Sequence, residues 1–385
     1  MPSSQDVIRR LDSELRSLEA KERKRTLRPA EGIDFTSNDY LALTHSGELR
    51  TRVIAELSKG KIPLGSGGSR LLRGNHEWHE EAEVYFAAWQ GTEASLFFTS
   101  GYAANMAVLT AIPTRRDVII YDTFVHASIK EGIHASFATK RTFEHNSIES
   151  LISALDASAG ADAVFVVVES LYSMDGDEAP LDELARLSRE RGFALIVDEA
   201  HATGLFGGEG RGLIDERGVR SDVFASVHPC GKALAGAGAF VCGSDTVKSY
   251  LLNRARTMIF TTALPPIVAY TLTQAIEILR HDPVRLCRVF EHAAYVRERL
   301  TPALKRWTVY PGRSPIIPLV VGMDAESVAV AEELHARGMD VRPIRPPTVA
   351  EGSARFRLTV NSEHTKAELD LLCDSLIQLE QQFSE

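Results

Sequence analysis

The feature that most constrains this chain lies between residues 94 and 245, where short apolar runs of strand length alternate with segments of helical pattern. The runs are "ASLFF" (94–98), "DVIIY" (117–121), "AVFVVV" (163–168), "FALIV" (193–197), "VFASV" (223–227) and "GAFVCG" (238–243). Each is apolar almost without interruption, as in a strand covered on both faces. Such strands separated by helices predict an α/β architecture with a mostly parallel sheet between helical layers. Further on, "ALPPIVAYTLTQAIEIL" from 263 predicts a long helix with Pro265 and Pro266 near its start. Residues 281–385 then read as a helix, the strands "IIPLVVG" (316–322), "MDVRPI" (339–344) and "ARFRLTV" (354–360), and the closing helix "TKAELDLLCDSLIQLEQQF". The expected division is an N-terminal helix and arm over 1–45, a large domain over 46–280 and a smaller C-terminal α+β domain over 281–385.

A chain of 385 residues is long enough for a large domain with its own core and a smaller one beside it. With 44% hydrophobic and 25% charged residues it reads as globular, and no apolar run approaches the roughly 18 residues of a membrane span. The N-terminus, "MPSSQDVIRRLDSELRSLEAKERKRTLRP", carries charges every few residues and lacks the apolar core of a secretory signal. A cytoplasmic location away from membranes is expected. A net charge of −9 disfavours nucleic acid as a partner. The basic cluster "KERKR" (21–25), at helical spacing beside Leu11, Leu15 and Leu18, reads as the solvated face of an amphipathic helix. The four cysteines, Cys230, Cys242, Cys287 and Cys373, form no CxxC pair, so neither a disulfide framework nor a metal site is expected.

In sheets of this kind chemistry belongs in the loops after the carboxyl ends of the strands. Polar residues gather there: "TSGYAAN" after the first run, then "DTFVHAS", "ESLYSMDGD", "DEAHATG" and "HPCGK" after later ones. "DEAH" (198–201) is also the spelling of a helicase box, but that reading needs an upstream GxxxxGK[ST] loop, and the only Gly-Lys, Gly231–Lys232, lies downstream. The clusters "GSGGSRLLRG" (65–74) and "GLFGGEGRG" (204–212) do not sit between a strand and an opening helix at dinucleotide spacing. They fit loops that bring backbone close to a ligand or a second chain.

Taken together, the strand ends hold an acid, Asp198, with His201 three residues on, His126 two loops away, a Ser100–Gly101 turn opening a helix, and Lys232 after a later strand. A lysine amine forms a Schiff base with a carbonyl cofactor. An aspartate keeps a pyridine nitrogen protonated so that the ring accepts electrons. A helix N-terminus takes a phosphate dianion. The combination predicts pyridoxal 5'-phosphate (PLP).

The motifs "NDYLAL" (38–43), "GSGGSR" (65–70), "TSGYAAN" (99–105), "ESLYSMDGD" (169–177), "VDEAHATGLFGGEGRG" (197–212), "GKAL" (231–234), "FTTALPP" (260–266) and "IRPPTVAEGSARFRLT" (344–359) resemble those of the α-oxoamine synthases, from about Asp34 to the C-terminus. The resemblance implies the fold of the fold type I PLP-dependent transferases and a role for each matched residue. Lys232 would carry the cofactor and move the substrate's α-proton, Asp198 would partner the pyridine nitrogen, and His201 would donate to the cofactor's phenolic oxygen. His126 would stack on the ring near the substrate. Ser100, Gly101 and Tyr102 would meet the phosphate, and Glu169 and Ser173 would line the cofactor pocket. Thr262 would reach the phosphate of the neighbouring subunit, which implies a homodimer with shared active sites. Arg345 would hold the amino acid carboxylate, a group that guanidinium pairs bidentately. Thr348 and Asn38 would be further substrate contacts, and Arg25 would lie near the entrance of the acyl substrate.

In one place the chain departs from the family: Pro229, Cys230, Gly231 and Lys232 stand where relatives commonly have a run such as Thr-Phe-Gly-Lys. Proline supplies neither the threonine hydroxyl that helps hold the phosphate nor a backbone donor. His228, Thr262 or water are the expected substitutes. Within the family, "IRPPTV" and the compact length favour the biotin-forming member. That enzyme condenses L-alanine with a pimeloyl thioester of coenzyme A or acyl-carrier protein, releasing CO2 and the thiol. Glycine acetyltransferase, 5-aminolevulinate synthase and serine palmitoyltransferase share nearly all these residues, because pocket shape, not these motifs, reads the acyl chain. A non-catalytic binding module on the same fold is the reading of another class; the retained lysine, aspartate and histidines count against it.

Overall fold

The computed structural model describes residues 3–21 and 23–383. All six apolar runs are strands of one seven-stranded sheet: β1 (Ala94–Phe98), β2 (Val118–Asp122), β3 (Thr139–Phe143), β4 (Val164–Glu169), β5 (Ala194–Asp198), β6 (Val223–Pro229) and β7 (Ala239–Gly243). Their order is β1-β7-β6-β5-β4-β2-β3. The sheet is parallel from β6 through to β3, and β7 alone runs antiparallel to both its neighbours, β6 and β1. The strand absent from the sequence reading is β3, "TKRTF". It lies at the sheet edge, where charged side chains blunt pairing with other chains and erase the apolar signal.

The chain folds into two compact units: one spans residues 38–173 and 177–288, the other takes the N-terminal stretch up to Ser37, residues 174–176 and 289–385. In the larger unit, register aligns the strand ends: Glu169 of β4 lies opposite Asp198 of β5, which in turn lies opposite Val227 of β6. The acids that close the apolar strands therefore share one end of the sheet.

The smaller unit has an antiparallel sheet ordered Pro343–Ile344, Ala354–Thr359, Ile316–Gly322 and Thr308–Val309. Its core includes Phe35, Leu300, Leu319, Phe356 and Leu376. Residues 174–176 belong to it through an ion pair between Asp175 and Arg355, and through Ser314 Oγ donating to the Gly176 carbonyl at 3.0 Å. The helix Asp324–Ala336 was not expected, since its alternating alanines and valines give no single apolar stripe.

The N-terminal helix Ser4–Ala20 forms behind a capping box of Ser3 and Asp6. It ends before the basic cluster, which corrects the reading of that cluster as a helix face. Lys21 is the C-cap, Arg23 pairs with Asp324 at 3.0 Å in the smaller unit, and Glu22 lies outside the described residues. Among the described residues no helix is long and apolar enough to cross a membrane.

Candidate active site

Lys232 sits in residues 230–238, the connection between the antiparallel strands β6 and β7. The connection closes on itself: Cys230 N–H donates to the Gly238 carbonyl at 2.9 Å and Ala235 N–H to the Lys232 carbonyl at 2.9 Å. Gly238 has φ +90°, and a Cβ there would stand 2.6 Å from the Phe97 ring of β1, so glycine lets the start of β7 pass close to that strand. The loop delivers the Lys232 amine to His201, whose Nε2 lies 2.8 Å from Nζ. On the far side of that ring, Nδ1 is 2.7 Å from the hydroxyl of Tyr40, and Tyr40 in turn donates to Asn38 Oδ1 at 3.1 Å.

Asp198 closes β5 and is buried at 4% exposure. One carboxylate oxygen accepts from the Ala200 N–H at 2.9 Å, the other from Asn105 Nδ2 at 2.7 Å. Asn105 also donates to Ser128 Oγ at 3.0 Å, and Ser128 Oγ lies 2.8 Å from His126 Nδ1. The backbone N–H of Ser128 points at the same nitrogen at 3.1 Å, so Nδ1 is an acceptor and the His126 proton resides on Nε2. Loss of hydration about the ring holds His126 below the usual histidine range, against the pull of Asp198. The residue as a whole is exposed. Glu169 Oε1 accepts from the His126 N–H at 2.5 Å; burial, with the charge of Asp198 beside it, pushes this carboxyl up to about 8.

Ser100 caps the helix Gly101–Ala111 by accepting from Ala103 N–H at 3.1 Å, leaving the first-turn amides at Gly101 and Tyr102 outside the helical ladder. A Cβ on Gly101 would lie 2.6 Å from Cγ of Pro229, so the departure at Pro229 is packed against the first turn of this helix. His228 does not substitute for the missing hydroxyl, correcting that expectation. It is fully buried and both ring nitrogens are engaged, Nδ1 with Thr203 Oγ1 and Nε2 with Ser226 Oγ, each at 2.8 Å. Thr262 is exposed, and its neighbour Ala263 donates to the Gly68 carbonyl at 2.9 Å, tying this segment to the "GSGGSR" loop. Ser173 is half-buried at the boundary of the larger unit.

The structure therefore brings Lys232, His201, Asp198, His126 and Glu169 to one end of the large sheet, with Asn38 reached through Tyr40. Arg25, Arg345 and Thr348 belong to the smaller unit, where Arg25 is exposed and Arg345 and Thr348 bound a turn closed by Thr348 N–H to the Arg345 carbonyl at 3.1 Å. Sequence reasoning missed Tyr40, Asn105 and Ser128. Each lies inside a polar stretch that stood out, "NDYLAL", "TSGYAAN" and "DTFVHAS", but none has a charge to single it out.

These residues fit PLP: an amine on a closed loop, a buried carboxylate held by two donors, a solvent-facing imidazole and capped first-turn amides are the donor set for an aldehyde, a pyridinium, a ring face and a phosphate. Residues 30–376 match the family described as "Aminotransferase class I and II". The 8-amino-7-oxononanoate synthase of Anaeromyxobacter dehalogenans is 38% identical over 373 residues, covering 94% of this chain and 92% of that protein. A serine palmitoyltransferase variant from S. paucimobilis, solved with bound PLP, superposes with a TM-score of 0.90 at 25% identity over 100% of both chains. The 8-amino-7-oxononanoate synthase of Francisella tularensis superposes with a TM-score of 0.77 at 27% identity, over 92% of this chain and 98% of that one. The chain belongs to the class I and II aminotransferase family and, within it, to the PLP-dependent α-oxoamine synthases of fold type I.

Proposed function

We propose that the chain is an 8-amino-7-oxononanoate synthase, joining L-alanine to pimeloyl-CoA or pimeloyl-[acyl-carrier protein] with release of CO2 and the free thiol. The observation that carries the reading is the Lys232 amine, held against His201 at the sheet end that also presents Asp198 and His126. It is supported by relatives of this name at 36–38% identity over most of the chain. PLP, when bound, supplies an electron sink for a carbanion at the amino acid's α-carbon.

The protein's part is to bind, orient and move protons. Lys232 Nζ removes the α-proton and later returns one, with His201 Nε2 beside it as hydrogen-bond partner. Asp198, fixed by Asn105 and the Ala200 amide, would partner the pyridine nitrogen. His126, neutral with its proton on Nε2, offers an aromatic face and a donor to the substrate side. The first-turn amides at Gly101 and Tyr102 receive the phosphate, and Glu169 and Ser173 complete the cofactor pocket. Arg345 is the proposed partner of the amino acid carboxylate, Thr348 and Asn38 are proposed as further substrate contacts, and Arg25 is proposed to stand near the entrance of the acyl substrate.

A homodimer completes the site, with Thr262 serving the neighbouring subunit. Supporting this, Leu64 and Leu72 beside the "GSGGSR" segment and Phe260 at the start of "FTTALPP" are 83%, 86% and 70% exposed in the single chain. The proposed domain division is an N-terminal helix and arm over 1–45, a large PLP-binding domain over 46–280 and a small C-terminal α+β domain over 281–385.

The larger TM-score against a serine palmitoyltransferase supports a second reading, with a different amino acid and a longer acyl chain. A three-way assay of thiol release separates them: alanine with pimeloyl-CoA, glycine with acetyl-CoA and serine with palmitoyl-CoA. Turnover with the first pair is expected; turnover only with another pair overturns the assignment. Lys232→Ala is expected to abolish release, and full activity in that variant refutes the proposed role of the lysine.

A further inference from the structure

We propose that Tyr40 is a positioning residue whose hydroxyl, backed by Asn38, sets which nitrogen of His201 carries the proton and thereby secures the proton on Lys232. Tyr40 is buried at 1% exposure, and its hydroxyl stands between His201 Nδ1 at 2.7 Å and Asn38 Oδ1 at 3.1 Å. Across the imidazole, Nε2 faces Lys232 Nζ at 2.8 Å.

The direction of the series follows from which atoms can donate. An ammonium group has no lone pair, so Lys232 in its charged form needs Nε2 as acceptor. A neutral imidazole then carries its hydrogen on Nδ1 and donates to the Tyr40 oxygen. Tyr40 passes its own hydrogen to Asn38 Oδ1, which only accepts. Each of the three contacts along Lys232, His201, Tyr40 and Asn38 then has one donor and one acceptor. A phenol is suited to the third place because it accepts and donates at once. When Nε2 carries the proton instead, the Tyr40 hydrogen turns onto Nδ1. Asp198, Glu169 and His126 are the ionisable groups coupled to this end of the site: His126 and Glu169 both feel Lys232 and Asp198.

Tyr40→Phe keeps the ring and its packing but leaves a hydrogen on Nδ1 without an acceptor, which is unfavourable in a buried site. His201 then shifts to the Nε2–H form, which opposes the ammonium. The proposal rests on the function given above only in taking Lys232 as the reactive amine. It is tested on cofactor-free protein by the pH profile of Lys232 modification with trinitrobenzenesulfonate, read by peptide mass spectrometry. In Tyr40→Phe the midpoint is expected to fall by about one pH unit, the loss of roughly one hydrogen bond to a charged group, with the melting temperature confirming a folded protein. In a His201→Gln background the same change at Tyr40 is expected to leave the midpoint unmoved, because Tyr40 acts through the imidazole. An unchanged midpoint in Tyr40→Phe, or an equal shift in both backgrounds, overturns the proposal. Failure of borohydride to fix PLP onto Lys232 of the wild-type protein would instead refute the functional reading and leave the profile test standing.

Discussion

Pro229 and His145 show how single residues carry consequences here. Pro229 rests against the Gly101 turn, and His228 is committed to Thr203 and Ser226. Pro229→Thr returns a hydroxyl and a backbone donor to this corner, and a several-fold tighter retention of PLP is expected by equilibrium dialysis; unchanged retention would mean the phosphate is held without this position. His145 lies between two carboxylates, with Nδ1 2.9 Å from Asp122 and Nε2 2.8 Å from Asp177. Burial would lower this imidazole, but the two acids outweigh it and push it up to about 9. Because the folded value stands above the ordinary 6.5, the stabilisation is full below about pH 6.5 and is lost as pH rises through about 9. The melting temperature of the wild type should fall from pH 7 to 10 more steeply than that of His145→Gln, and parallel curves would remove this ion cluster from the account.

Among the elements, the helix Gly101–Ala111 bears most on function because its first turn faces two constraints at once. Ser100→Ala removes the hydroxyl that caps Ala103 N–H, with an expected cost of about 1 kcal/mol. Gly101→Ala pushes a methyl group into Pro229, an overpacking cost of roughly 1–3 kcal/mol. Pairing Gly101→Ala with Pro229→Gly should recover most of that loss in a denaturant titration, and no recovery would show the clash is not the cause. Element by element, strands buried on both faces were legible because their composition reports their environment. The edge strand β3 was not, because most of its residues face solvent and are polar, whereas β1 at the opposite edge is buried and apolar.

For the whole molecule, the exposed Leu64, Leu72 and Phe260 and the exposed Thr262 lead to an expected dimer by sedimentation at micromolar concentration. Phe260→Glu with Leu72→Glu should yield monomers that lose activity while keeping their far-ultraviolet dichroism; an active monomer would refute a shared site. The sequence by itself determined the α/β class, the six apolar strands of the large sheet, the cofactor and the charged residues at the strand ends. These follow from local composition and from chemistry that only certain side chains perform. Only the tertiary structure decided that β7 is reversed, that the basic cluster lies beyond its helix, that His228 is sealed in the core, and that Tyr40, Asn105 and Ser128 connect the charged groups. The physical reason is that a neutral polar residue gains its meaning from the partner it meets. Pairings such as Tyr40 with His201, 161 positions apart, are set by the packing of the sheet and its loops and leave no local mark on the chain.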